Sequence, residues 1–351
     1  MIGKHVMERL LAMNPETHFV ALTRRPEEVP PHGGRVHALA GDLRIDGLGV
    51  EEGVWIKLRE RLTAILHCAA EIRFDLPLDD ARRTNVEGTR TLLELARRCP
   101  RLERFVHIST TYIGGQSPEQ LPECRFTNRH GFFSSYQESK YEAEHLALEA
   151  AAEVPLAVYR LSTVIGDSAS GRVEQYNHFH QLLRLVQHNP LPILPGSAEA
   201  RVDFVATDWT TAAVAWFFQN AFEPGSIRNF SAGPANTLAM PVVLEMAFAA
   251  LGRGRAPELV SWDEFDRYTR NRLGRGEERM AQLLQSLSYF LPYFSLQQRF
   301  ENEETMARLD AAGLYRPESV ELYGRVLDYM KRAAGAPASA RRPVPASEPA
   351  R

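Results

Sequence analysis

The 351-residue chain has only three cysteines, Cys68, Cys99 and Cys124. An odd count with no CxxC pairing supports neither a disulfide framework nor a zinc ribbon, so a reducing, cytoplasmic compartment is expected. Long apolar runs are absent as well: no stretch reaches the ~18 residues that cross a bilayer, and the N-terminus lacks the apolar core of a signal peptide. The most hydrophobic segment, "TTAAVAWFF" at 210–218, reads as a buried helix, with Trp209, Trp216, Phe217 and Phe218 as core. Charge of one sign is also lacking. A formal net charge of −3 gives no electrostatic reason to expect nucleic acid or an anionic membrane surface as partner. Metal ligands at a usable spacing are missing too, since His178 and His180 in "HFH" have no third ligand near them.

The most informative absence lies at the start. Met1 to Met13 carry a helical stripe of Ile2, Val6, Leu10 and Leu11, stopped by Asn14-Pro15, and "HFVALT" (18–23) then reads as a strand ending in Arg24 and Arg25. Helix, strand and basic pair form the second half of a dinucleotide-binding βαβ unit, whose first strand and glycine-rich turn should come before the helix. Neither is present. Gly3 is read as the last glycine of that turn, with the chain as given beginning inside the motif.

What is present is an ordinary globular composition, 44% hydrophobic and 24% charged. Apolar runs at 18–23, 35–40, 62–67, 103–108, 155–161 and 226–231 alternate with helical patterns at 79–99, 137–152 and 208–220. That alternation predicts an α/β fold, a Rossmann-type doubly wound parallel sheet. After about 236 the pattern turns helical, apart from a short strand at "ELVSW" (258–262). The expected division is a dinucleotide-binding unit at 1–172 and 205–235, a smaller, mostly helical substrate cap at 173–204 and 236–333 over the carboxyl edge of the sheet, and a disordered Pro/Ala/Ser-rich tail at 334–351.

Two segments point to chemistry. In "SSYQESKYEAE", Tyr136 and Lys140 lie four residues apart on one helix face, where an ammonium favours ionisation of a phenol whose ordinary pKa is ~10. In "FVHISTTYIGG", Ser109, Thr110 and Thr111 end a strand, where a hydroxyl reaches a ligand. A strand-end hydroxyl and a Tyr/Lys pair together grip a carbonyl: one donates a hydrogen bond, the other a proton, while a hydride reaches the carbon. Taken alone, Asp42 reads as a turn former and His67 as a satisfied strand-end side chain. The strand ending in Arg24 and Arg25 carries no acid for a ribose 2′-hydroxyl but two guanidinium forks for a 2′-phosphate, which favours NADP(H).

With "ILHCAAEIRFDLPLDDARRTNVEGTRTLLELA" added, the chain resembles an extended short-chain dehydrogenase/reductase of the fatty acyl-CoA reductase and thioester reductase branch, the male-sterility-type domain, over residues 1 to about 330. The resemblance implies Thr110 as the active-site hydroxyl with Ser109 as the competing assignment, Tyr136 as proton donor, Lys140 on the nicotinamide ribose, and Asn85 completing a proton relay. It implies cofactor contacts at Gly3, at Asp42 and Leu43 on the adenine side, and at His67, Ala69 and Ala70 along a strand-end turn. Leu161 stands where relatives usually carry proline. The function so implied is NADPH-dependent reduction of an acyl thioester, on coenzyme A or a carrier protein, to aldehyde or alcohol. Two alternatives share these residues: a sugar-nucleotide epimerase, dehydratase or sterol-type dehydrogenase, and a non-catalytic cofactor-binding protein.

Overall fold

The structure, a computed structural model, describes residues 1–188, 191–252, 254–273, 284, 288 and 290–335. In chain order its elements are α1 (Ile2–Met13), β1 (Phe19–Thr23), β2 (Val36–Ala40), α2 (Glu52–Arg59), β3 (Ala64–His67), α3 (Leu78–Arg82), α4 (Gly88–Arg97), β4 (Arg104–Thr110), α5 (Ser135–Ala150), β5 (Leu156–Leu161), β6 (Thr163–Gly166), α6 (His178–His188), β7 (Ile193–Pro195), β8 (Arg201–Val202), β9 (Phe204–Ala206), α7 (Thr207–Asn220), β10 (Ile227–Phe230), β11 (Leu238–Ala239), α8 (Met240–Leu251), β12 (Glu258–Val260), α9 (Trp262–Leu273), α10 (Glu303–Ala311) and α11 (Ser319–Gly335). Residues 336–351, nearly all of the expected disordered tail, lie outside the described residues.

All six apolar runs form parallel strands, and helices cover both faces of the central sheet. Its order is β10-β5-β4-β3, parallel throughout. Odd positions of β4 and even positions of β5 (Phe105, Leu156, Val158) pack on Leu92, Leu93 and Ala96 of α4 and Ala147 and Ala150 of α5. The opposite face, with Val106, Ile108, Ala157 and Tyr159, packs on Val6 and Leu10 of α1 and Ala213, Val214 and Phe217 of α7. Burial on both faces explains why these strands read as unbroken apolar runs instead of alternating ones.

β1 and β2 form a separate parallel pair. Among the described residues β1 hydrogen-bonds only to β2, and β3 only to β4. In a sheet of order 3-2-1-4-5-6 the first strand lies between these two edges, and Val20 of β1 is left 40% exposed.

The short strands at β6, β7, β8, β9 and β11 were not foreseen. β6 pairs with β9, β8 with β11, and β7 with β12, the strand expected at 258–262. These pairings tie the segment after residue 236 to the segment around 193–206, beside the carboxyl end of the central sheet.

Candidate active site

Helix α5 places the first two groups. Ser134 caps it by accepting from Gln137 N at 3.4 Å, and Tyr136 and Lys140 then fall one turn apart on the face that meets the end of β4. The parallel pairing of β4 with β5 sets Thr110 opposite Leu161. The Thr110 hydroxyl lies near the Tyr136 phenol, close enough to favour its ionised form. Thr110 Oγ1 also accepts from Tyr112 N at 3.2 Å, which holds its rotamer. Ser109, one residue earlier, points to the other face and donates to Glu144 Oε2 at 2.6 Å. Of the two competing hydroxyls, the structure brings Thr110 to the phenol.

Lys140 is 3% exposed and its Nζ donates to the Ile108 carbonyl at 2.8 Å. Burial pushes its pKa down to about 8, against the opposing charge of Glu144. Burial raises the Tyr136 pKa to about 12, with the nearby Thr110 hydroxyl working the other way. The expectation that the ammonium dominates the phenol is thus outweighed by desolvation, and Tyr136 holds its proton at neutral pH.

Asn85 lies in a π-helical turn, Arg83–Glu87, between α3 and α4. Its amide nitrogen donates to Glu71 O at 3.0 Å and to Ser139 Oγ at 2.9 Å, and its oxygen accepts from Glu71 N at 2.8 Å. It is joined to α5 through Ser139, next to Lys140 in sequence, and it fixes the start of the 71–77 loop. Below it, Thr89 donates to Asn85 O at 2.6 Å, so His67 Nε2, 2.9 Å from the same hydroxyl, is the donor to it. His67 is buried and kept neutral, its pKa pushed down to about 3 by desolvation and, less, by Lys140.

The start of α1 meets the carboxyl end of β3, the edge at which open α/β sheets take their ligands. α1 opens with no side-chain cap and no acid in its first turn, which leaves its N–H groups and positive dipole end available to an anion. Gly3 permits the close approach: a Cβ there would lie 3.1 Å from Cys68 Cβ. Ala69 is exposed and Ala70 half-buried beside it. On the far side, Arg44 grips Asp42 through Nη2 at 2.6 Å and holds its carboxyl below the usual range. Leu43 packs on Gly88, where a Cβ would come within 2.8 Å of Leu43 Cβ. Arg24 and Arg25 follow β1 on the exposed surface, Arg25 reaching Glu28 Oε1 at 3.0 Å.

Two site residues, Phe74 and Tyr293, went unnoticed in the sequence, and His178 was weighed there only as a metal ligand. Phe74 stacks on Tyr136 (centroids 5.5 Å, 21°), on His178 (3.8 Å, 26°) and on Tyr293 (5.7 Å, 16°). His178 Nε2 donates to Ile72 O at 2.7 Å and pins the loop, while Gln137 Nε2 donates to the Tyr293 hydroxyl at 2.9 Å. His178 therefore serves an aromatic wall over Tyr136, and His180 turns inward to Asn177 Oδ1 and Ile165 O. Only the metal-ligand look of "HFH" marked this segment, and that pattern does not reveal a partner 104 residues earlier.

The family profile described as male sterility protein, an NAD-binding domain, matches residues 4–214. The chain is 22% identical over 253 residues to the fatty acyl-CoA reductase wat of Drosophila melanogaster, covering 62% of this chain and 48% of that protein. It thus spans about half the length of that relative. Among solved structures it superposes on the terminal R domain of the myxalamid PKS-NRPS biosynthetic pathway with TM-score 0.78 at 19% identity, covering 95% of this chain and 89% of the other. A thiolation-reductase di-domain of an archaeal non-ribosomal peptide synthetase superposes with TM-score 0.70 at 16% identity, covering 94% and 73%. At these identities the likeness to solved structures establishes the fold.

Proposed function

The chain belongs to the male sterility protein family of NAD-binding oxidoreductase domains, and we propose that within it the chain is an NADPH-dependent reductase of an acyl thioester, carried on coenzyme A or on an acyl carrier protein, giving aldehyde or alcohol. The observation that carries the proposal is the meeting of Thr110, Tyr136 and Lys140 at the end of β4 beneath the aromatic wall of Phe74, His178 and Tyr293. A reduced nicotinamide, when bound, supplies the hydride for a carbonyl carbon. Thr110 orients the carbonyl oxygen by hydrogen bonding. Tyr136 then delivers its phenolic proton to that oxygen, for which its high pKa keeps it loaded. Loss of the thiol from the resulting hemithioacetal leaves the aldehyde, so one thioester, one NADPH and one proton yield one aldehyde, one thiol and NADP⁺. A second round on the aldehyde would give the alcohol.

Lys140 holds the ribose, and its charge favours the phenolate left on Tyr136 after proton transfer. Asn85 supports α5 through Ser139 and closes the proton relay from that side. Gly3, His67, Ala69 and Ala70 form the cofactor edge, and Asp42 with Leu43 bounds the adenine side. Arg24 and Arg25 favour the 2′-phosphate of NADP(H), because planar guanidinium forks match phosphate geometry. The wall over Tyr136 supports an apolar acyl group over a sugar, whose hydroxyls would lose hydrogen bonds to water without finding partners on ring faces.

The deciding experiment follows NADPH absorbance with the purified protein and either octanoyl-CoA or UDP-glucose. Thioester-dependent oxidation with release of free thiol is the expected result. Turnover of UDP-glucose alone, or of neither, overturns the proposal.

A further inference from the structure

A buried polar cluster beneath the site takes no part in the chemistry above. Glu144 and Arg160 are both 0% exposed, a placement that is destabilising unless both charges are fully satisfied. They are: Arg160 Nη2 donates to Glu144 Oε1 at 2.6 Å and Nε reaches both carboxylate oxygens at 3.1 Å, while Nη1 and Nη2 donate to Pro122 O at 2.8 Å and Cys124 O at 3.0 Å. The remaining contact on the carboxylate comes from Ser109 Oγ at 2.6 Å.

That last bond ties the cluster to the site. Ser109 lies between Ile108, whose carbonyl holds Lys140 at 2.8 Å, and Thr110, whose hydroxyl meets Tyr136. Glu144 is one helical turn beyond Lys140 and two beyond Tyr136 on the same face of α5. We infer that Glu144 is a positioning residue: clamped by Arg160 and Ser109, it locks the end of β4 to α5 so that Thr110 and Lys140 face Tyr136, with its carboxylate one helical turn from Lys140. The geometry is independent of the substrate; its use in turnover rests on the reductase reading.

The groups around Lys140 leave this role to Glu144. From the β3 end come His67, neutral, and Cys68, whose thiol burial raises to about 12; from β4 comes His107, held neutral by burial. Tyr136 is protonated on α5, and Arg160 reaches across from β5 to the carboxylate. Of the two groups that work against the desolvation of Lys140, Glu144 is the stronger and Cys68 the weaker.

The test measures NADPH and, in parallel, NADH affinity by fluorescence titration across pH, together with octanoyl-CoA turnover, in Glu144→Gln, Glu144→Asp and the double variant Glu144→Gln/Arg160→Met. The double variant removes both charges, so no guanidinium is left buried and unpaired if the single variant fails to fold. In the folded variants lacking the carboxylate, the alkaline fall in cofactor affinity should move to lower pH by about one unit, with roughly fivefold weaker binding at pH 8. Glu144→Asp, which keeps the charge, should return the fall toward its parental position. A folded variant whose alkaline fall stays where the parent has it overturns the inference, since a purely structural ion pair would lower stability without moving that limb. A shift in binding with no thioester turnover in the parent would instead sink the substrate reading and leave Glu144 in its role.

Discussion

The Phe74 ring lies 5.5 Å from that of Tyr136 and within 21° of parallel to it, so the proposed proton donor works beneath an apolar lid. Phe74→Ala should raise the KM for octanoyl-CoA about tenfold, through roughly 1–1.5 kcal/mol of lost apolar and stacking contact, with NADPH affinity unchanged. Steady-state kinetics and a cofactor titration check it; a fall in NADPH affinity of the same size would place Phe74 at the cofactor.

For cofactor choice, the double substitution Arg24→Ala and Arg25→Ala should weaken NADPH binding by about ten- to a hundredfold, the loss expected from roughly 1.5–3 kcal/mol of charge-assisted bonding to a 2′-phosphate. NADH binding should hardly move. Equal weakening of both cofactors would mean that these arginines serve another anion or the local fold.

The strands along the chain and the helical placement of Tyr136 and Lys140 were legible in the sequence because each rests on local pattern. Doubly buried strands such as "RFVHIST" and "LAVYRL" are unbroken apolar runs, and the spacing of Tyr136 and Lys140 alone sets them on one helix face. The three- and four-residue strands β6, β7 and β9 were invisible: segments so short, with Gly166 and Pro195 at their ends, give no period to count. The π turn that aims Asn85 has no sequence signature either. The wall of Phe74, His178 and Tyr293 comes from three distant segments, so only tertiary structure assembles it. Glu144 did have a signal, as the third member of the 136, 140, 144 stripe, but its partner Arg160 lies on another element and the stripe alone reads as a solvated helix face.

Asp203 gives a pH-dependent stability that can be worked out in sign. It is 2% exposed, one carboxylate oxygen accepts from Ala232 N at 2.7 Å, and burial raises its pKa from the ordinary 3.8 to about 6. A folded-state pKa above the unfolded one means that stability is complete below the unfolded value and falls as pH rises through about 6, here by on the order of 3 kcal/mol. Asp203→Asn should therefore raise the Tm at pH 8 and leave it nearly unchanged at pH 4. A variant less stable than the parent at pH 8 would show that the ionised form is the one the fold prefers.

The separate edges of β1 and β3 yield a further expectation. Unpaired strand edges are weak points of a sheet, and a turn of N–H groups at the start of α1 would meet a pyrophosphate. A protein extended by a strand and a glycine-rich turn leading into Gly3 should melt higher and bind NADPH more tightly than the 351-residue chain. Thermal melts and fluorescence titrations of the two compare them directly, and equal values would remove Gly3 from the cofactor edge.

The central claim is that Tyr136 protonates the oxygen of a thioester carbonyl, and single-turnover thiol release tests it most directly. With octanoyl-CoA and NADPH at neutral pH, the parent should release one thiol per NADPH if it stops at the aldehyde, or one per two if it continues to the alcohol. Tyr136→Phe should retain NADPH affinity, because the ring and its packing remain, while thiol release slows by at least about a hundredfold. Near-parental thiol release in that variant, with cofactor binding intact, would contradict the mechanism.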